Sequence, residues 1–232
     1  MEKFIRTISL IGEDNFQKIK DLTVAVVGLG GVGGYAVESL VRMGVNHLVI
    51  VDYDVVDKSN INRQIIATTD NIGIKKTKAF YNRIKKINPN CEVIALDIKL
   101  DDSNYNLLLE HKIDYLIDAC DDLKAKELII KICLDKKIKF ISSMGMAKKL
   151  HPELLEISDI RKTCYDPIAK KIRKFIKDNN IKDKVIVVSS KEIPLNNDST
   201  TLGSISFVPS VAGLLCTSYI INDVINKNNK KT

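Results

Sequence analysis

The run Gly28-Leu29-Gly30-Gly31-Val32-Gly33 stands between a short apolar segment and a segment of helical periodicity. Glycine lets a backbone turn tightly and approach a phosphate, and a helix that starts there aims its free amides at negative charge. Gly28, Gly30 and Gly33 fit the G-x-G-x-x-G spacing, which makes a phosphate cradle where a strand precedes it and a helix follows. Asp52 comes about 20 residues later, where a carboxylate accepts hydrogen bonds from ribose hydroxyls. A nicotinamide site asks for little more. This chain adds Asp54, then Asn60-Ile61-Asn62-Arg63-Gln64, then Lys76, then Asp118-Ala119-Cys120-Asp121-Asp122. Two cations and further carboxylates around a nucleotide suit a triphosphate with a metal ion, neither of which hydride transfer needs. A dehydrogenase remains the rival on the glycines alone. Arg63 is one of 6 arginines among 36 basic residues. Its use here points to planar, bidentate phosphate contact. Lys76, close to Lys75 and Lys78, reads either as a phosphate cation or as a solvated charge.

These residues need a frame. Residues 22–27 are apolar and rich in β-branched side chains, as a buried strand is; 35–43 reads as a helix and 47–51 as a second strand ending at Asp52. The alternation continues with a lysine-rich helix at 75–87, a strand at 92–96, a helix at 103–111, a strand at 115–119, a helix at 123–134 and a strand at 140–143. It predicts an α/β, Rossmann-like doubly wound sheet, mainly parallel, with ligands outside the carboxyl ends of its strands. Beyond 143 the rhythm changes. Strands are expected at 153–157, 184–189 and 203–208, forming a mixed or antiparallel C-terminal extension. Asp166-Pro167 opens a basic helix running to Lys177, by an N-cap aspartate and a proline at the first helical position. A last apolar helix starts at Ser210. The whole, 1–232, reads as one domain, with a nucleotide-binding half at 1–143, a substrate-binding half at 144–226 and a flexible tail at 227–232.

A strand-GxGGxG-helix unit, an aspartate pair, N-x-x-R-Q, G-x-x-K and D-x-x-D in that order resemble the ThiF and MoeB superfamily of ubiquitin-activating-like enzymes. Within it the chain is most similar to the branch of tRNA threonylcarbamoyladenosine dehydratases. That likeness is carried by Arg6-Thr7 with Leu10-Ile11-Gly12-Glu13, by Ile157-Ser158-Asp159-Ile160 before Asp166-Pro167, and by 203–209 with Gly213. The CxxC pairs of many MoeB-like members are missing. The resemblance implies that Gly28, Gly30, Gly31 and Gly33 wrap the phosphates of ATP and Asp52 holds ribose. It implies that Asn60 and Arg63 meet the triphosphate, Lys76 neutralises phosphate charge and Asp121 holds magnesium. Arg6 matches an arginine that reaches into a neighbouring subunit's site, so a homodimer is implied. The implied reaction adenylates a carboxylate. In the dehydratases it belongs to a modified adenosine of tRNA; the alternative is the C-terminal glycine of a ubiquitin-like sulfur-carrier protein. A third reading, a binding module that only docks RNA or protein when nucleotide is bound, also stays open.

The formal net charge of +7 suits a polyanionic partner. A compositional bias toward Lys, Ile and Asn accounts for it equally well. Lys170, Lys171, Arg173, Lys174 and Lys177, on the predicted helix after Pro167, are the candidate tRNA face, with Ile168, Ile172, Phe175 and Ile176 as its apolar stripe. Five cysteines at irregular spacing, with no CxxC pair, argue against a disulfide framework or a thiolate zinc cage and fit a reducing cytoplasm. Cys164 is the one considered as a nucleophile; His47, His111 and His151 read as structural. Asp118 is left undecided beside Asp121. Charged residues within the first six positions exclude an export signal there. The apolar stretch 208–221, too short to span a bilayer and interrupted by Pro209, Gly213 and hydroxyl residues, reads as a buried helix and not as a membrane span.

Overall fold

The computed structural model describes residues 2–195 and 202–229. Two short helices, α1 (Ile5–Ile11) and α2 (Glu13–Lys20), precede the first strand. Neither stood out in the sequence. The alternating part follows as β1 (Thr23–Val27), α3 (Gly33–Arg42), β2 (His47–Val51), α4 (Lys76–Ile87), β3 (Glu92–Leu96), α5 (Asn106–Leu109), β4 (Tyr115–Asp118), α6 (Leu123–Asp135) and β5 (Lys139–Ser143). The C-terminal part is β6 (Leu155–Asp159), α7 (Pro167–Asp178), β7 (Ile186–Ser190) and α8 (Phe207–Asn229).

Seven strands make one sheet in the order β3-β2-β1-β4-β5-β7-β6. Every neighbouring pair is parallel except β6 with β7. The expected doubly wound α/β sheet with an antiparallel extension is thus the observed one. Because β1 leads outward to β2 and β3 while β4 leads the other way, the switch point lies between β1 and β4. Strand β1 shows how the layers divide. Val24 and Val26 join Val37, Leu40, Phe80 and Ile220 on the side of α3, α4 and α8. Ala25 and Val27 join Ile129, Cys133, Ile172 and Phe175 on the side of α6 and α7. Alternate residues of one strand enter opposite cores, which is why the strands of a covered parallel sheet read as continuous apolar runs.

Three expectations need correction. The helix at 103–111 shrinks to Asn106–Leu109, because Asp101 accepts hydrogen bonds from the amide and hydroxyl of Ser103 and holds the chain in a turn. Residues 203–208 form no strand. The carbonyl of Gly203 takes the Lys148 amide and that of Ser204 takes the Asn62 side chain, so two loops use them singly, and α8 begins at Phe207. That helix continues through Asn229; residues 230–232 of the expected tail lie outside the described residues. Its length and apolar composition match those of a bilayer-crossing segment, so shortness does not exclude a span. Packing speaks instead: half of its apolar span within 207–226 is buried, and Gly213 lies so close to α3 that a Cβ there would sit 2.2 Å from the Val32 carbonyl oxygen. It is a core helix.

Candidate active site

A cavity of about 340 Å³ opens at the switch point, beyond the carboxyl ends of β1, β2 and β4. Its floor is the glycine loop. Gly28 has φ +88° and gives its amide to Val51 at 2.8 Å; a Cβ there would lie 2.7 Å from the Ala119 carbonyl oxygen. At Gly33 a Cβ would lie 1.8 Å from the Gly28 carbonyl oxygen. Any larger residue at either point would open the loop and shift the start of α3.

Asp52, at the end of β2, is 8% exposed and lines the cavity. One oxygen accepts the Leu29 amide at 2.6 Å and the other the Asp54 amide at 2.8 Å. Each keeps a lone pair for a ligand. Burial pushes its carboxyl above the usual range, and the Lys76 ammonium 3.9 Å away opposes that shift. Lys76 is itself buried and bonds Asp54 at 2.8 Å, so it is no solvated charge. Arg63 lines the cavity and spends one terminal nitrogen on the Ser59 carbonyl and the Asn62 side chain. Asn60 is buried beside it, with its side-chain oxygen taking the Asp57 amide.

The two aspartates after β4 separate cleanly. Asp118 is fully buried and binds Lys126 at 3.0 Å, the Ser142 hydroxyl and the Cys120 amide and thiol, so it belongs to the scaffold. Asp121 is exposed on the cavity wall and, among the described residues, makes no hydrogen bond or ion pair. Beside it, Asp122 caps α6 and meets Lys99 across the cavity rim at 3.1 Å. Among the described residues no group of three or more His, Cys, Asp or Glu side chains is arranged to hold a metal ion.

Cys120 also lines the cavity, and burial and the Asp118 charge push its thiol well above the ordinary range, which disfavours the thiolate. Cys164, His47, His111 and His151 do not line the cavity, and neither does Arg6, which is exposed on α1. His47 and His151 pair with Glu92 and Glu153.

The family model described as ThiF family matches residues 4–232. The chain belongs to the ThiF family. It is 38% identical to the tRNA threonylcarbamoyladenosine dehydratase of Bacillus subtilis (strain 168), over 97% of this chain and 95% of that one. It is 35% identical to the enzyme of the same name from Escherichia coli (strain K12), over 76% of this chain and 66% of that one. Among solved structures, E. coli TcdA in complex with ATP superposes with a TM-score of 0.93 at 31% identity, covering 100% of this chain and 97% of that one.

In this ThiF-family chain Gly28, Gly30, Gly31, Asp52, Asp54, Asn60, Arg63, Lys76 and Asp121 all line one cavity. Gly33 stands just beneath it at the start of α3. Sequence reasoning missed Gln64, which lines the cavity with a buried Oε1 that has no hydrogen-bond partner among the described residues. Its place inside N-x-x-R-Q was a usable signal. Met146 and Ala147, from the loop after β5, and Pro209, from the first turn of α8, are distant in sequence and gave none. Lys126 was missed as well, although it shares the apolar stripe of Ile130 and Cys133 on α6, where a charge must have a partner.

Proposed function

We propose that this chain is an ATP-dependent tRNA threonylcarbamoyladenosine dehydratase. The observation that carries the reading is the coincidence of two things. Similarity to the dehydratases runs the length of both chains, and the switch-point cavity gathers a glycine loop, two cations and an unpaired carboxylate. The amides of the glycine loop and the start of α3 receive phosphate, and Asp52 takes ribose hydroxyls with its free lone pairs. The Arg63 fork and the Lys76 ammonium stabilise the charge that develops as the substrate carboxylate attacks the α-phosphorus. Pyrophosphate leaves and an acyl adenylate forms. The ureido group of the same side chain then closes on the activated acyl carbon and expels AMP. The net change is loss of one water.

Asp121 would hold a magnesium ion brought in with the phosphates, since among the described residues its carboxylate is unpaired on the cavity wall and no protein cage of three ligands is found. Bound there, the ion would neutralise phosphate charge and orient the leaving pyrophosphate. Arg6 is proposed to serve the site of a second subunit in a homodimer. Ile5 and Leu10 beside it are 64% and 85% exposed, an apolar surface that pairing of α1 would cover. The partner is tRNA, docked on α7, whose Lys170, Lys171, Lys174 and Lys177 face solvent while Ile172, Phe175 and Ile176 are buried. Arg173 is excluded from that face because it bonds the Thr163 carbonyl and hydroxyl.

Pyrophosphate release tests the reading. It is expected with tRNA bearing threonylcarbamoyladenosine and not with a ubiquitin-like carrier protein; the reverse preference would overturn it.

A further inference from the structure

Met146 and Ala147 line the cavity, yet they belong to no strand or helix. Single polar ties place their segment. The Met144 amide reaches the Val188 carbonyl at 2.9 Å, the Lys148 amide reaches Gly203 at 2.9 Å, and the Gly145 amide reaches one oxygen of Asp166 at 2.8 Å. Asp166 is 4% exposed, and its other oxygen caps α7 by accepting the Ala169 amide at 2.9 Å. One buried carboxylate therefore starts the basic helix and holds the cavity wall. The contact is close: a Cβ on Gly145 would lie 3.1 Å from that oxygen.

Lys149 supplies the counter-charge. Its ammonium is buried and stands 3.7 Å from the same Asp166 oxygen, too far for a hydrogen bond, and it has no hydrogen-bond partner among the described residues. Glu192, also buried, lies at the far side of the segment and accepts the Leu150 and His151 amides. An amine buried with one long ion pair returns little stability for the water it gives up, and an apolar side chain would serve the fold as well. Upstream, the Ser143 carbonyl is held at 2.8 Å by Lys126, which also binds Asp118, and Asp118 accepts the amide of Cys120 next to Asp121. The wall thus runs between two buried lysines, one tied to the Asp121 loop and the other to the cap of α7.

We propose that Lys149 and Asp166 are positioning residues that hold the Met146-Ala147 wall in register with tRNA docked on α7. The inference rests on the dehydratase reading and adds to it a physical link from the docking face to the reacting groups. Lys149→Met keeps the length of the side chain and removes its charge, leaving both Asp166 hydrogen bonds in place. The double variant Lys149→Met with Asp166→Asn removes both charges, so that neither stays buried alone if the single variant folds poorly. Rates are taken per folded molecule, from tRNA-dependent pyrophosphate release, with ATP and tRNA affinities measured separately. The expected result in both variants is a kcat about tenfold lower, the loss that a slightly misplaced wall produces. KM values for ATP and tRNA should stay within about twofold of wild type. A kcat per folded molecule equal to wild type, or a loss confined to the KM for ATP, would overturn the proposal. Failure of the wild-type protein itself to release pyrophosphate with modified tRNA would instead strike the dehydratase reading.

Discussion

Asp52 accepts the Leu29 amide at 2.6 Å, so the carboxylate that ends β2 also pins the glycine loop that follows β1. Removing it frees the loop and takes away the ribose acceptor together. Asp52→Ala is expected to weaken ATP binding by about 1.5–3 kcal/mol, the range for a hydrogen bond to a charged group. Calorimetry on the folded variant checks this; unchanged affinity would remove Asp52 from the site.

Among the described residues Arg63 engages a single terminal nitrogen, with Ser59 and Asn62, and keeps the rest of its guanidinium for a ligand. Arg63→Lys preserves the charge and loses the fork. The expected outcome is a fall in kcat that exceeds any rise in the KM for ATP, since a bidentate contact tightens as charge develops on the phosphates. Steady-state kinetics decide it, and wild-type turnover would assign Arg63 to the surface.

Lys126 lies wholly inside the protein with Asp118 at 3.0 Å. Lys126→Ala leaves that carboxylate buried without its cation. The expected loss of stability is about 3–5 kcal/mol, read from the urea unfolding midpoint. Lys126→Ala combined with Asp118→Ala should lose less than the sum of the two single variants; additivity would show the pair to be independent.

The exposed lysines of α7 are the proposed tRNA face. Changing Lys170, Lys174 and Lys177 together to Glu should weaken tRNA binding and flatten its salt dependence, because each neutralised phosphate releases counterions. ATP affinity should stay at the wild-type value. Filter binding across a salt series checks both, and an unchanged affinity and slope would move the footprint to the lysines of α4.

How much of this was legible depended on where the determining contacts lie in the chain. The glycine loop and Asp52 are set within one β-turn-α-β unit, so spacing alone placed them. Lys76 sits among other lysines, and only the fold shows that Asp54 and Asp52 draw it inside. The segment 203–208 alternates small polar and apolar residues as a strand does. Its carbonyls nonetheless pair with Lys148 and Asn62, partners far away in sequence. Lys149 carries no periodic signal, because its counter-charge, Asp166, comes from the cap of α7. Asp118 differs from Asp121 by its burial and its partners Lys126 and Ser142, which spacing does not encode.

Arg6 offers a test of assembly. If it completes the partner's site, Arg6→Ala and Arg63→Ala are each inactive, yet mixing them should restore activity. In an equal, freely exchanging mixture about a quarter of the sites are intact, because each mixed dimer holds one undamaged site. No recovery on mixing under exchange conditions would return Arg6 to an ordinary surface position.

The central claim is tested most directly by mass spectrometry of tRNA nucleosides before and after incubation with this protein and ATP. Threonylcarbamoyladenosine should lose one water, in a reaction that requires ATP and yields AMP and pyrophosphate. An unaltered nucleoside, in the presence of folded protein that binds ATP, would contradict it.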